Sequence, residues 1–266
     1  MIHGKFTSGK LLEEGSMRLY YEYLGSPGEG EVLVFIHGHS VDCRMWEPQI
    51  KHFNKSFPVL CYDMRGYGRS SLPMEGHDYM HAEDLHFLLQ RLDIGAVHLV
   101  GLSLGSFVAL DYLALYPENV HSVTVASGAI PDSKSSDPVP LVTDVASYKR
   151  EWYERLLQGC GPDHNGYRSR LWEMICDWTA IQHTQRESES LLGDGLLPRL
   201  SNIRTTPAFV VNGAHDFEGA HRSAQKLLDC MPHADCVNLK DAGHFSNMET
   251  PEEFNQELQA FLEQLK

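Results

Sequence analysis

The feature that most constrains the fold is a series of five short apolar runs, rich in β-branched side chains and separated by helical patterns. Continuous runs of this kind are typical of strands that are buried on both faces of a sheet. Between them, segments such as His81–Leu92 and Leu104–Tyr116 carry apolar residues on one helical face. The alternation predicts an α/β domain in which helices cover both faces of a mostly parallel sheet. The five runs are Val32–Ile36, Val59–Tyr62, Val97–Val100, Val120–Val125 and Ala208–Val211.

The beginning of the chain departs from this alternation. In the segment Met17–Leu24, the apolar and aromatic residues Leu19, Tyr21 and Tyr23 occupy every second position. A turn-like Gly-Ser-Pro-Gly segment follows and leads into the Val32 run. This pattern predicts that the sheet opens with an antiparallel pair of strands.

A second departure lies between about Ile130 and Leu200, where no strand-like run occurs. The segment begins with a Pro- and Ser-rich loop and continues with helical patterns. It is too long for a plain loop, so we predict a core formed by residues 1–130 and 201–266 and a helical cap formed by residues 131–200. The predicted cap contains four aromatic residues that would either line a pocket or pack on the core: Trp152, Tyr153, Trp172 and Trp178.

The last helix carries a sequence signal for its start. Thr250 is placed to cap it, Pro251 suits its first turn, and Glu253 would complete a capping box.

Composition narrows the class of protein and its partners. The 266 residues suit one large domain, and the formal net charge of −14 disfavours binding to nucleic acid or anionic membranes. We expect a cytoplasmic protein, because no signal-like or membrane-spanning apolar run occurs. The six cysteines form no C-x-x-C pair and are predicted to be free thiols.

The histidines invite a metal interpretation, because His77, His81 and His86 lie close together. However, they show no H-E-x-x-H pattern, and we interpret them as part of a solvated helix face. No metal and no cofactor are predicted.

The strongest functional signal is the segment Gly101-Leu102-Ser103-Leu104-Gly105, which has the pattern G-x-S-x-G. It lies directly between a predicted strand and a predicted helix, which is the context that such a motif requires. A tight turn there would expose the Ser103 hydroxyl at the end of the sheet and place helix N–H groups nearby. We therefore predict that Ser103 is a nucleophile.

A serine nucleophile needs a base and a group that orients the base. His244 is the predicted base, because it follows a strand-like run and precedes the last helix. Asp216, which follows the Ala208 strand, is the predicted orienting acid. Asp132, on the loop after the Val120 strand, is the alternative acid.

Together these motifs resemble the α/β-hydrolase superfamily over nearly the whole chain. The segment His37-Gly38-His39-Ser40 resembles the family's oxyanion loop, and residues 63–70 resemble its D-x-R-G-x-G-x-S segment, which we interpret as structural. The resemblance implies an eight-stranded sheet with a helical cap. It also implies an oxyanion hole formed by the backbone N–H groups of His39 and Leu104, with the His39 imidazole either lining the pocket or lying in solvent.

The serine at position 103 separates this chain from the haloalkane dehalogenases and epoxide hydrolases of the fold, which use an aspartate nucleophile. We expect hydrolysis of a small, fairly apolar carboxylic ester or lactone through an acyl-enzyme, in a monomer or homodimer. Arg168 and Arg170 are interpreted as surface residues, and the alternative is that one of them binds a substrate carboxylate. The open alternatives are a carbon–carbon bond hydrolase, a lyase similar to a menaquinone-pathway synthase or a hydroxynitrile lyase, and a non-catalytic ligand receptor.

Overall fold

The computed structural model describes residues 9–15, 17–25, 30–128, 130, 141–185 and 189–266. Its strands form one eight-stranded sheet in the order β1-β2-β4-β3-β5-β6-β7-β8. In this order, all neighbouring strands from β4 onwards are parallel. β2 is antiparallel to both of its neighbours, β1 and β4. The strands are β1 Lys10–Glu14, β2 Met17–Leu24, β3 Val32–Ile36, β4 Val59–Tyr62, β5 Val97–Leu102, β6 Val120–Ala126, β7 Ala208–Gly213 and β8 Asp235–Leu239.

Helices cover both faces of the sheet. They are α1 Glu47–Phe53, α2 His81–Arg91, α3 Leu104–Leu115, α4 Val145–Leu157, α5 Tyr167–Asp177, α6 Ile181–Thr184, α7 Leu196–Leu200, α8 Glu218–Cys230, α9 Ser246–Glu249 and α10 Pro251–Glu263. Within the described ranges, no helix has both the length and the apolar character needed to cross a bilayer.

The apolar runs form buried strands because the core lies on both sides of the sheet. Successive residues of β3 belong to opposite clusters: Val34 packs with α2 and α3, whereas Phe35 packs with α1 and α10. All five residues of β3 are buried. The predicted α/β fold with a mostly parallel eight-stranded sheet is therefore confirmed.

The antiparallel opening is present, but its partners differ from those that the turn signal indicated. β2 pairs with β1 and β4, and β4 separates it from β3. The sequence pattern missed β1 because four of its five residues are exposed and it shows no apolar run.

The segment between β6 and β7 contains four helices, α4 to α7, and no strand in its described part. Leu156 of α4 and Leu171 of α5 pack on the α1 and α10 side, while Leu196 and Leu200 of α7 pack on the other side. Its division from the core as a separate cap, residues 131–200, stays a prediction.

Two local expectations are wrong. Thr250 stands before α10 but makes no side-chain cap bond, and its hydroxyl donates to the Ser246 carbonyl of the preceding turn at 3.4 Å. His81 does not lie on a solvated face: as the first residue of α2 it is fully buried, between the rings of Tyr67 and Tyr79.

Candidate active site

Ser103 occupies the tight turn between β5 and α3. Its backbone has φ 54° and ψ −114°. A residue other than glycine adopts such a conformation at a cost of about 1–3 kcal/mol, which the surrounding structure must offset. The Ser103 N–H donates to the carbonyl of Ala126 on the neighbouring strand β6 at 2.8 Å, which fixes the turn at the carboxyl end of the sheet.

Close backbone contacts explain the glycines on either side of Ser103. A Cβ atom on Gly105 would lie 2.2 Å from the carbonyl oxygen of Ile36, and one on Gly101 would lie 2.2 Å from that of Gly105. These atoms belong to rigid strand and helix backbone and have no room to move away. The start of α3 can approach β3 and β5 only because both positions lack a side chain.

The three predicted catalytic side chains form a hydrogen-bonded chain. His244 Nε2 lies 3.1 Å from Ser103 Oγ, and His244 Nδ1 lies 2.7 Å from Asp216 Oδ1. A carboxylate only accepts, so Nδ1 carries the proton and donates it to Asp216. Nε2 is then free to accept the hydrogen bond from the Ser103 hydroxyl. The alternative acid, Asp132, lies outside the described residues.

The loops that carry the acid and the base are joined through their backbones. Ala214 N–H donates to Leu239 O, and His215 N–H donates to Ala242 O, each at 2.9 Å. The Asp216 side chain is fully buried, and its Oδ1 also accepts the N–H of Phe217 at 2.7 Å. These contacts fix the Asp216 carboxylate behind the His244 ring.

The predicted oxyanion-hole residues line the same cavity as Ser103. Leu104 is the first residue of α3, so its N–H has no partner inside the helix and lies at the positive end of the helix dipole. His39 follows β3 and also faces the cavity. The structure thus brings both residues beside the nucleophile.

The His39 imidazole is a wall of the cavity rather than a solvated side chain. Its Nδ1 lies 2.7 Å from the Tyr67 hydroxyl, and its Nε2 lies 3.1 Å from His183 Nε2. Burial lowers the pKa of His39 to about 3. The ring is therefore neutral at physiological pH, and it adds a polar but uncharged edge to the site.

The cavity that holds Ser103 and His244 has a volume of about 380 Å³ and mostly apolar walls. A larger groove of about 640 Å³ lies between α1 and α10, but none of the three catalytic candidates lines it. The smaller cavity is therefore the candidate active site. Its lining comprises Gly38, His39, Ser103, Leu104, Phe107, Trp152, Arg155, Leu156, Glu189, Phe217, His244 and Phe245.

The aromatic residues of the predicted cap divide between lining and packing. Trp152 lines the cavity and donates its indole N–H to Ser40 Oγ at 2.8 Å. Trp178 is buried in the core, and the rings of Tyr153 and Trp172 pack against each other with centroids 5.0 Å apart. Only Trp152 of the four contributes to the cavity wall.

The arginines considered for a substrate carboxylate lie elsewhere. Arg168 donates to the Gly161 carbonyl at 2.9 Å, and Arg170 pairs with Glu47 in the larger groove. The guanidinium that does line the cavity belongs to Arg155, which lies over the Trp152 ring. Sequence reasoning missed Arg155, because only the orientation of α4 decides which of its charged side chains faces the site.

The segment 63–70 braces the loops near the site. The buried Asp63 carboxylate accepts the N–H groups of Cys43 and Arg69, each at 2.9 Å, and also pairs with the Arg69 guanidinium. Asp42, Cys43 and Asp63 form the single cluster with metal-ligand spacing in the described part of the chain. Because Arg44 and Arg69 already neutralise the two carboxylates, we attribute a structural role to this cluster.

Known proteins are similar to this chain in sequence. The family model of the alpha/beta hydrolase fold matches residues 31–167. The (E)-2-((N-methylformamido)methylene)succinate hydrolase of Acinetobacter baylyi is 24% identical over 250 residues, covering 89% of this chain and 92% of that protein. The 3-oxoadipate enol-lactonase 1 of the same organism is 24% identical and covers 91% of this chain and 92% of its own length.

A solved structure gives the same result for the fold. The enol-lactonase from Burkholderia xenovorans LB400 matches with a TM-score of 0.73 at 22% identity, covering 95% of this chain and 99% of that chain. The strand order, the turn at Ser103 and the family match agree. The chain belongs to the α/β hydrolase family.

Proposed function

We propose that the protein is a serine hydrolase that cleaves a small carboxylic ester or lactone through an acyl-enzyme on Ser103. The observation that carries this proposal is the hydrogen-bonded chain from Ser103 through His244 to Asp216 at the wall of a cavity. A hydroxyl is a weak nucleophile, and this arrangement supplies the base and its orienting acid.

In the proposed mechanism, Ser103 Oγ attacks the substrate carbonyl carbon while its proton moves to His244 Nε2. The Asp216 carboxylate stabilises the imidazolium that forms. The N–H groups of His39 and Leu104 stabilise the negative oxygen of the tetrahedral intermediate, and losing one such donor typically costs about 3 kcal/mol of barrier. His244 then gives the proton to the departing alcohol, and a water molecule activated by His244 hydrolyses the acyl-enzyme.

The cavity supports a small and largely apolar substrate. Its volume of about 380 Å³ lies near the lower end of ordinary ligand sites, and Phe107, Trp152, Leu156 and Phe217 supply apolar walls. The relatives support a hydrolytic reaction, since both curated proteins described above are named as hydrolases of small molecules, one of them an enol-lactonase.

The test combines turnover of p-nitrophenyl acetate with labelling by a fluorophosphonate probe. We expect the wild-type protein to show both, and Ser103→Ala to lose both while keeping its fold by circular dichroism. Ser147→Ala removes a hydroxyl from the exposed start of α4 and should keep both.

The outcomes separate the candidate functions. A wild-type protein that is neither labelled nor active would exclude the hydrolase and favour a ligand receptor. Labelling without ester turnover would favour a lyase that uses the same three residues. Substantial activity in Ser103→Ala would show that another group is the nucleophile.

A further inference from the structure

A second buried carboxylate lies beside the base, outside the three catalytic candidates. Glu249 ends the single-turn helix α9 and is 2% exposed. Its carboxylate accepts three backbone N–H groups: those of Gly161 at 2.6 Å, Gly243 at 2.9 Å and Phe245 at 2.9 Å. No Lys or Arg pairs with it anywhere in the described part of the chain. Its hydrogen bonds therefore come from peptide N–H groups.

The donors show what this carboxylate does. Gly243 and Phe245 flank His244, and the N–H of His244 itself donates to the Gly159 carbonyl at 2.7 Å. Three consecutive N–H groups of the base loop are thus fixed, the outer two by Glu249. The imidazole can keep its two hydrogen bonds only while this stretch of backbone holds its orientation.

The same carboxylate reaches the segment that follows α4. Oε2 accepts the Gly161 N–H together with that of Gly243, so one oxygen joins the base loop to this segment. Trp152 and Leu156 of α4 line the cavity. Together with the bond from His244 N–H to the Gly159 carbonyl, this contact links the position of the base to the segment that follows one cavity wall.

The charge of Glu249 also acts on the base. Burial raises the pKa of Glu249, while the three N–H donors and the field of His244 act in the opposite direction. The other titratable groups that face it are Cys160 and Tyr167, and Arg168 lies nearby, bound to the Gly161 carbonyl. The carboxylate and a positively charged His244 ring therefore attract each other.

From this geometry we propose that Glu249 is a positioning residue for catalysis: its carboxylate fixes the backbone on both sides of His244 and ties that loop to the segment that follows α4. The proposal rests on the serine-hydrolase function proposed above.

The test is Glu249→Gln, assayed with p-nitrophenyl acetate. Whichever oxygen is replaced, an amide N–H then faces a backbone N–H, so the base loop shifts. We expect kcat to fall about 10- to 100-fold, the effect of a small misplacement at a reacting centre, with KM within about threefold. The split between kcat and KM is the readout, because a disturbed cavity wall would raise KM, whereas a misplaced base lowers kcat.

Two further variants separate this role from general loss of a buried carboxylate. Glu249→Asp keeps the carboxylate but has a shorter reach, so kcat should fall by only about 3- to 10-fold. Asp111→Asn removes another buried carboxylate, which accepts the Leu192 N–H at 3.1 Å on the other side of the sheet. It should leave kcat unchanged.

The outcome is decisive even if Glu249→Gln does not fold, because Glu249→Asp then carries the test. Wild-type kcat in either folded variant would overturn the positioning role. If the wild-type protein itself neither turns over the ester nor reacts with the fluorophosphonate, the proposed function fails instead, so the two failures are distinguishable.

Discussion

The acid of the hydrogen-bonded chain offers the sharpest quantitative prediction. In Asp216→Asn, the new amide has two orientations, but the N–H of Phe217 lies 2.7 Å from the Oδ1 position. Only an oxygen can accept there, so the amide oxygen stays where Oδ1 was. The Nδ1–H of His244 keeps its acceptor, and Nε2 stays directed at Ser103. The substitution therefore removes the charge while leaving the tautomer intact.

The loss can be estimated from this geometry. Two unit charges at about 4 Å and an effective dielectric constant of about 20 interact by about 4 kcal/mol. This energy stabilises the imidazolium in the transition state, so its loss should lower kcat by about 10³-fold. Asp216→Ala loses the acceptor as well, and we expect a loss of about 10⁴-fold, similar to that for a base in the wrong tautomer.

The assay is kcat for p-nitrophenyl acetate, with the rate of fluorophosphonate labelling measured in parallel. Asp132→Asn is the matched comparison, because Asp132 is the alternative acid, and it should keep wild-type activity. Asp216→Asn within tenfold of wild type would refute the electrostatic reasoning. Loss of activity in Asp132→Asn alone would refute the assignment of the acid.

Three further predictions concern stability and specificity. Gly105→Ala should lower the free energy of unfolding by more than about 2 kcal/mol, because the added Cβ would lie 2.2 Å from the Ile36 carbonyl oxygen; a wild-type urea midpoint would contradict the close approach. Burial raises the pKa of Asp111 to about 6, so ionisation of this carboxyl group opposes folding. Its contribution to the free energy of unfolding is fully present below about pH 4 and is lost as the pH rises through 6. Asp111→Asn should therefore reduce the fall in unfolding free energy between pH 4 and pH 7, and an unchanged fall would count against the assignment. Trp152→Leu should raise KM for aryl esters several-fold with little change in kcat, since it removes a cavity wall but no reacting group; an equal loss in kcat would point to a role in positioning Ser103.

The parts of the fold that could be predicted are those in which local sequence and burial agree. The apolar run of β5, the tight turn at Ser103 and the α3 helix follow one another, and Gly101 and Gly105 stand where the backbones approach too closely for a side chain. Asp216 and His244 were predictable because each follows a strand of a parallel sheet, whose carboxyl ends meet at one edge.

The missed features depend on tertiary contacts that no short segment encodes. The polar edge strand β1 shows no apolar run, so its pairing with β2 left little trace in the sequence. The hydroxyl of Thr250 donates to the Ser246 carbonyl and accepts no N–H from the start of α10, an outcome that depends on the backbone geometry of the folded chain. In the sequence, Glu249 looks like an ordinary acidic residue of a helix. Only the folded chain brings the N–H groups of Gly161 and Gly243, 82 positions apart, to the same oxygen of its carboxylate.

The position of β8 has a consequence for how the protein loses activity during unfolding. β8 is the last strand of the sheet, it pairs on one side only, and only Leu239 of its five residues is buried. An edge of this kind opens locally at a lower free energy than the centre of the sheet. Because the His244 loop directly follows β8, catalytic competence should disappear at urea concentrations at which the fluorescence of the buried tryptophans is still native. The strand that carries Ser103 lies inside the sheet and should persist after the edge strand that leads to His244 has opened.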